Sequence, residues 1–403
     1  MKVLLIGVGG VGEAIAVVAQ DRPWLETMVL ADYNLERAKT VQKRLGKADK
    51  FPLEQIDARD LNRIVHLAHK HSIDLIMNAV SNFYNDTIFD AAFEAGCHYL
   101  DMAMSDYGAN MGSHQWNQAI KWEEKGLLAI LGNGMDPGVS DIFAKYASLE
   151  LFDEIDEIGI RDGAALEVSG YEFAPAFSIL DTIEECTDPP LVWEKERGWF
   201  TIPPFENIEV FNFPEGIGPL EVVDIEHEEV VLIPRYIPCK RVTFKYGLGE
   251  KFINVIKVIQ MLGLHQKDTV NVKGVKVSPI EVVAACLPDP ASLGDKMSGK
   301  TCVGVWVTGV KDGKQREVYI YQATDNQESM KNYGCQAVSL QTATGPVIVM
   351  ELLAEGIWKG KGVQGPEAFN PQPFLSKMME YNFPYKIREE DSQYPEGIRP
   401  NIK

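Results

Sequence analysis

The 403-residue sequence predicts an α/β chain: a doubly wound parallel sheet over roughly its first third, then an α+β domain built on a mixed sheet. Three observations carry that expectation. The amino terminus runs an apolar strand straight into a Gly-x-Gly-x-x-Gly turn, strand-like and helix-like segments alternate to about residue 132, and beyond about residue 150 longer strands punctuated by Pro and Gly take over.

Val3 to Ile6 is short, continuously apolar and β-rich, as a strand buried on both faces of a parallel sheet must be. Gly7 permits the tight turn that follows, Gly9 lets backbone approach a pyrophosphate, and Gly12 lets the next helix pack on the strand. That helix begins near Gly10 and places Val11, Ala14, Ile15 and Val18 on one apolar face, while its amino-terminal N–H groups and dipole attract phosphate. Gly7, Gly9, Gly10, Val11 and Gly12 are therefore assigned to a dinucleotide in a Rossmann-type domain. A second apolar strand, Met28 to Ala31, ends at Asp32, about 20 residues past the last glycine, where a carboxylate accepts from the adenosine ribose hydroxyls and repels a 2′-phosphate. No Arg follows Asp32 directly, so the pattern favours NAD over NADP, with Arg37 the basic residue that could move towards a 2′-phosphate.

The period then continues. Leu35 to Leu45 reads as a helix capped by Asn34, a short strand precedes Asp57, and Asp60 to His71 is a helix with Leu61, Ile64, Val65 and Ala68 on one face. Leu75 to Asn78 is the next strand, and its polar continuation to Tyr84 lies where such folds bind ligands. Asn78, Ala79 and Val80 are assigned to the cofactor there, and Asn82 and Tyr84 to the substrate. A helix from Asp86 to Glu94 stops at Gly96, the strand His98 to Asp101 follows, and after a helix from Trp116 to Glu124 a strand from Leu127 leads into Gly134-Met-Asp-Pro-Gly138. Later strands are expected at Leu191 to Trp193, Glu221 to Val223, Glu229 to Pro234 and Lys240 to Tyr246, and Cys302 to Thr308 with Arg316 to Tyr321 flank a hairpin turn at Lys311-Asp-Gly-Lys314. A helix from Ala343 through Leu353, ended by Gly356, returns to the first domain. The expected divisions are 1–135 for the dinucleotide-binding domain, 136–340 for a substrate-binding and dimerisation domain, and 341–403 for the returning segment.

At 45% hydrophobic and 24% charged residues the chain is ordinary globular material, and a formal charge of −19 argues against nucleic acid and anionic membrane surfaces as partners. Six scattered cysteines without a Cys-x-x-Cys pair suggest neither zinc nor disulfides, and His66, His69 and His71 end a helix without a cysteine or paired carboxylate, so no metal is expected. With no leader-like amino terminus and no stretch read as approaching the roughly 18 apolar residues of a membrane span, the expectation is a cytoplasmic protein. The long β edge of the predicted hairpin would be covered by a second copy, which implies a homodimer.

Gly7 to Gly12, Asn78-Ala79, Tyr99-Leu-Asp101, Gly134-Met-Asp-Pro-Gly138, Leu287-Pro-Asp-Pro-Ala-Ser292, Gly299-Lys-Thr-Cys302, Lys311-Asp-Gly-Lys314, Gln336-Ala337 and Thr344-Gly-Pro346 together resemble the saccharopine dehydrogenase family over nearly the whole chain. The resemblance implies a pyridine-nucleotide oxidoreductase that transfers hydride at the C–N bond of a saccharopine-like amino acid through an imine. Carboxynorspermidine dehydrogenase and lysine 6-dehydrogenase are the alternative branches, with an amino-acid or polyamine substrate. Branches that use NADPH tend to carry Ser-Arg-like residues where this chain has Asp32-Tyr33, which moves it towards NAD, while Leu287 to Leu375 looks closest to the carboxynorspermidine type. A protein of another class, an NAD-binding sensor or scaffold without turnover, would share the dinucleotide motif.

The nicotinamide performs the hydride step, so the protein must orient the substrate and accept a proton from its nitrogen, worth roughly 10²–10⁴-fold. Asp101 and Asp136, at or just past strand ends, are candidates; alternatively Asp136 braces the Asp-Pro-Gly turn and Asp101 binds loop backbone. His227, with an ordinary pKa of about 6.5, is a third, oriented by Glu228, unless Glu226-His-Glu-Glu229 is only a solvated strand edge. Arg235, Arg241 and Lys245 are placed to clamp a substrate carboxylate, and Thr344 to meet the substrate at the amino end of the returning helix.

Overall fold

The computed structural model describes residues 1–106, 108–247 and 249–389. Residues 390–403 of the expected returning segment lie outside the described residues. The described chain divides into two compact units. The first comprises Met1–Tyr146, Arg235–Ile237 and Ser339–Tyr385, and the second Ala147–Pro234, Pro238–Val338 and residues 386–389. The helix Val139–Tyr146, buried from Val139 to Ala144, groups with the first unit.

In the first unit, β1 (Lys2–Ile6), β2 (Thr27–Asp32), β3 (Leu53–Gln55), β4 (Leu75–Asn78), β5 (His98–Leu100) and β6 (Leu128–Ile130) join Gly362–Gln364 in a parallel sheet. Among the described residues it has seven strands, in the order Gly362–Gln364, β6, β5, β4, β1, β2, β3. The order reverses between β1 and β4, and such a reversal opens a crevice at the carboxyl ends of the strands. β1 is apolar without alternation because both faces are covered: Val3, Leu4, Leu5 and Ile6 are all buried. The helices begin where local chemistry starts them. Asn34 Oδ1 accepts from the backbone N–H of Glu36 and Arg37 at the head of α1 (Gly10–Ala19)'s successor, α2 (Leu35–Leu45), and Asp60 accepts from Arg63 N–H at the head of α3 (Leu61–Lys70). The helix expected from Trp116 to Glu124 is instead two short ones, Ser113–Trp116 and Ala119–Glu124. They part at Asn117 and Gln118, whose side-chain amide donates to Asp90 Oδ1 at 2.8 Å.

Two expectations about the returning helix are corrected. It spans Ala337–Ala354, with Pro346 inside it rather than at its start, because burial of Ala343, Val347, Ile348 and Met350 outweighs the missing N–H. It also has the length and mean hydropathy, 1.4, of a membrane-crossing helix, yet 78% of that window is buried in the protein, as in a core helix.

The second unit holds a mixed sheet, nine-stranded among the described residues. Seven of its strands run in the order Glu209–Phe213, Gly218–Asp224, Arg241–Gly247, Glu154–Val168, Met297–Lys311, Lys314–Asp325, Tyr385–Glu389, while Leu191–Glu194 pairs with Arg241–Gly247 and with Gly198–Thr201 off that path. Arg241–Gly247 pairs in parallel with Glu154–Val168, and the long hairpin pairs antiparallel from Lys300↔Asp325 to Lys311↔Lys314. Positive φ at Asp312 and Gly313, 51° and 73°, supplies the twist a two-residue hairpin turn needs. Glu154–Val168 flanks one strand of the hairpin and the shorter Tyr385–Glu389 lies beside the other.

The segment expected as a strand at 229–234 is the helix Glu229–Tyr236. A short apolar run such as Val230 to Ile233, all buried here, has no periodicity that separates a core strand from a core helix. The core on the hairpin side is aromatic: Phe211, Phe213, Tyr319 and Tyr321 pack with Val222 and Cys302, and the Phe213 ring occupies the space a side chain at Gly163 would need. None of the six cysteines is in a disulfide. Burial raises the thiol pKa of Cys97 to about 11 and those of Cys239 and Cys302 to about 12.

Candidate dinucleotide and substrate site

The glycine turn after β1 separates what packing requires from what is left open. Gly7 sits at φ +95°, and a Cβ on it would lie 2.6 Å from the Ala79 carbonyl oxygen; one on Gly12 would collide with the Gly7 carbonyl. Gly9 is different. It precedes α1 with extended backbone, is exposed, and a Cβ on it would meet nothing within 4 Å. Helix α1 has no side-chain cap, so its first N–H groups stay available beside that open backbone, and half-buried Gly10 and Val11 continue the turn. These residues fit a dinucleotide pyrophosphate. Gly7, Gly12, Ala79 and half-buried Val80 form the floor between β1 and β4.

Asp32 is tied to the turn: its Oδ2 accepts from Val8 N at 2.7 Å and its Oδ1 from Asn34 N at 2.7 Å. Each oxygen keeps lone-pair capacity for a ribose hydroxyl. Arg37 is not poised for a 2′-phosphate. Its Nε donates to Val8 O at 3.0 Å and its guanidinium pairs with Glu13 at 2.5 Å, and Glu13 also receives Arg44.

Asn78 is buried and shapes the loop after β4. Its Nδ2 donates to Asn85 Oδ1 at 2.7 Å and to Tyr99 Oη at 3.2 Å, while its Oδ1 accepts from Val80 N at 3.2 Å. Asn82 and Tyr84 are half-buried on the short helical turn that follows, with Phe83 exposed and edge-on to Tyr84.

Asp101 does not present itself to a substrate. It is buried, its Oδ1 accepts from Gly132 N at 2.7 Å and its Oδ2 from Gln115 Nε2 at 2.8 Å, so it braces the loop after β6. Asp136 is half-buried on the Gly134–Gly138 turn, and the N–H of Gly138 is bonded by Asp141 Oδ2 at 2.7 Å. Bracing of that turn at Gly138 therefore comes from Asp141. Thr344 is also corrected. It is buried inside its helix with Oγ1 donating to Leu340 O at 2.7 Å, and it is the neighbouring Gly345 that meets the turn, where a Cβ would lie 2.5 Å from Gly134 O.

The three cations expected to clamp a carboxylate divide sharply. In the second unit, Arg241 is held by Glu194 at 2.9 Å and Glu157 at 3.6 Å, and buried Lys245 by Glu209 at 3.1 Å and Asp224 at 3.7 Å. Both are therefore already matched by carboxylates. Arg235, in the first unit, is exposed and has no ion pair to a carboxylate among the described residues; its guanidinium carbon lies 4.6 Å from the ring centroid of Trp116. Nothing in the sequence marked Trp116 or Gln115, whose contacts are made by residues far along the chain.

His227, in the second unit, is not on a solvated strand edge. It is buried, stacked on Phe244 at 3.9 Å, with Nδ1 2.5 Å from Glu229 Oε2 and 3.3 Å from Glu228 Oε2. Burial alone would lower its pKa, but Glu229, then Glu228 and Glu185, outweigh that and hold it well above the ordinary value. Burial pushes the Glu185 carboxyl up to about 8. His227, Glu228 and Glu229 bring their donor atoms within 4.8 Å of one another, a grouping that spacing rules based on separated ligands overlook.

Because both folded-state values are raised, the stability these groups contribute is complete below their unfolded values and is lost as pH climbs through the raised ones. Thermal melts across the alkaline range should therefore fall more steeply for the natural protein than for His227→Gln; parallel curves would show that the imidazolium contributes nothing.

Two family profiles match the chain: the saccharopine dehydrogenase NADP binding domain over residues 3–130 and the saccharopine dehydrogenase C-terminal domain over residues 134–383. Carboxynorspermidine synthase of Vibrio alginolyticus is 32% identical over 411 residues, covering 98% of this chain and 99% of that protein. Carboxyaminopropylagmatine dehydrogenase of Synechocystis sp. is 32% identical over 388 residues, covering 95% and 96%. Among solved structures, apo saccharopine dehydrogenase (L-Glu forming) from Saccharomyces cerevisiae superposes with a TM-score of 0.74 at 12% identity, over 97% of this chain and 100% of that one, a likeness of fold. The chain belongs to the saccharopine dehydrogenase family and is a nicotinamide-dependent oxidoreductase.

Proposed function

We propose that the protein makes or breaks the C–N bond of a carboxylate-bearing polyamine, with an imine between the amine and the coupled product. What carries this reading is similarity along essentially the whole chain to two proteins named for such compounds, each 32% identical, whereas the likeness to saccharopine dehydrogenase (L-Glu forming) is 12% identical and one of fold. This favours the polyamine branch over a saccharopine-like amino acid.

When bound, the nicotinamide accepts or supplies the hydride. The chain's own residues bind and orient it: the Gly7–Gly12 turn faces the pyrophosphate and Asp32 the adenosine ribose. With the Asp32 carboxylate anchored to Val8 N and Arg37 committed to Glu13, the ribose pocket is acidic, and NAD is the preferred cofactor. For proton transfer we assign Asp136. The Asp136 carboxylate sits half-buried on the Gly134–Gly138 turn, whereas Asp101 is buried under bonds from Gly132 and Gln115 and His227 is buried against Glu229, and Asp136 would accept the proton from the substrate nitrogen.

The test is to supply carboxynorspermidine, carboxyaminopropylagmatine, saccharopine and lysine in turn with NAD or NADP and follow absorbance of the reduced nicotinamide. Turnover of either polyamine with NAD as the better cofactor is expected; turnover of saccharopine or lysine alone would replace this reading with another branch. Replacing Asp32-Tyr33 by Ser-Arg should reverse the cofactor preference by introducing a 2′-phosphate partner and removing the repelling carboxylate. Asp136→Asn should lower kcat by roughly 10²–10⁴-fold while NADH affinity, measured by fluorescence titration, is retained.

A further inference from the structure

In the first unit Arg235 makes no ion pair to a carboxylate among the described residues, although the charge of Glu367 acts on it. Arg235 lies in the last turn of the helix Glu229–Tyr236, and its neighbour Tyr236 fixes its place: the phenol oxygen accepts from Gly365 N at 3.0 Å and donates to Gln364 Oε1 at 3.3 Å. Gln364 is the last residue of the edge strand and pairs in parallel with Ile130 at the end of β6. Arg235 is thereby held at the carboxyl edge of the sheet, beside the strand that continues into Gly132–Gly138.

Trp116 reaches the same edge by a separate route. The adjacent Gln115 donates to Asp101 Oδ2 at 2.8 Å, just past the end of β5, which anchors the short helix Ser113–Trp116 there. The indole supports the guanidinium by its π face at 4.6 Å, an interaction that uses the charge but consumes none of the five N–H donors. The chain has 58 acidic residues against 39 Lys and Arg, and its net charge repels anions at long range. An arginine stacked on an indole at the ligand-binding edge, without an ion pair to a carboxylate among the described residues, supplies the local exception. Its planar fork matches a carboxylate in a way an ammonium does not.

We propose that Arg235, supported by Trp116, anchors the carboxylate of the substrate and so selects carboxylated over uncarboxylated amines. This deepens the reading above and rests on it for the identity of the substrate. Arg235 is then a specificity-determining residue with no part in proton or hydride transfer.

Two measurements separate the anchor from the reading it rests on. The first needs no turnover: succinate binding to the NADH-loaded natural protein and to Arg235→Gln is measured by calorimetry, with loss of a charged hydrogen-bonded pair expected to weaken it roughly 10- to 150-fold and Arg235→Lys to restore only part. Equal binding by both, or none by the natural protein, overturns the anchor. The second compares carboxynorspermidine with norspermidine. The natural protein should prefer the carboxylated amine, and Arg235→Gln should raise its KM by the same factor, leave kcat nearly unchanged, and not alter kinetics with norspermidine. A proportional loss on both amines, with NADH affinity retained as a check of folding, overturns the proposal. If neither amine is oxidised by the natural protein, the polyamine reading fails while the succinate result still decides the anchor.

Discussion

The site depends on a buried carboxylate that holds three strand ends together. Asp101 is removed from water just past the end of β5, and a buried carboxylate is tolerable only when donors surround it. Those donors are the Gly132 backbone after β6 and the Gln115 amide from the helix that carries Trp116. Next to it, Tyr99, whose pKa burial and the Asp101 charge both raise, is joined through Asn78 to Asn85 and the loop after β4. One network thus sets the relative positions of three strand ends, and the dinucleotide floor, the Gly134–Gly138 turn and the Trp116 platform inherit its geometry.

The second unit handles its buried charge by pairing rather than by exclusion. Arg161 Nε reaches Glu209 at 2.7 Å, Glu209 also receives Lys245, and Lys245 faces Asp224, a four-residue alternation of sign within the sheet. His227 with Glu228 and Glu229 forms another such group at the head of a helix, where the carboxylates also meet a favourable dipole. Charges satisfied this way stiffen a core but are withdrawn from ligand binding.

What the sequence disclosed and what it hid follow the range of the interactions involved. The strand and glycine turn, the caps at Asn34 and Asp60, and the Asp312-Gly313 hairpin are encoded within a few residues of where they act, and each lies where local chemistry puts it. The polar assignments that changed were settled by partners distant in the chain. Lys245 meets Glu209, Arg241 meets Glu194, and Asp101 meets Gly132, pairings that no window on the sequence contains. Glu229 to Pro234 looks like a strand in the sequence for another reason, since the buried apolar run Val230 to Ile233 has no exposed face to reveal its period.

The first unit is discontinuous, and that orders the protein's birth. Its first 146 residues emerge from the ribosome well before Ser339–Tyr385, which supply the long apolar helix and the edge strand Gly362–Gln364. Until those arrive, β6 has no outer neighbour and the Gly134–Gly138 turn has no helix behind it. The nascent first unit must therefore wait, with apolar surface uncovered, through synthesis of nearly the whole second unit, and a truncated chain lacking the last portion would be a client for chaperones rather than a smaller enzyme.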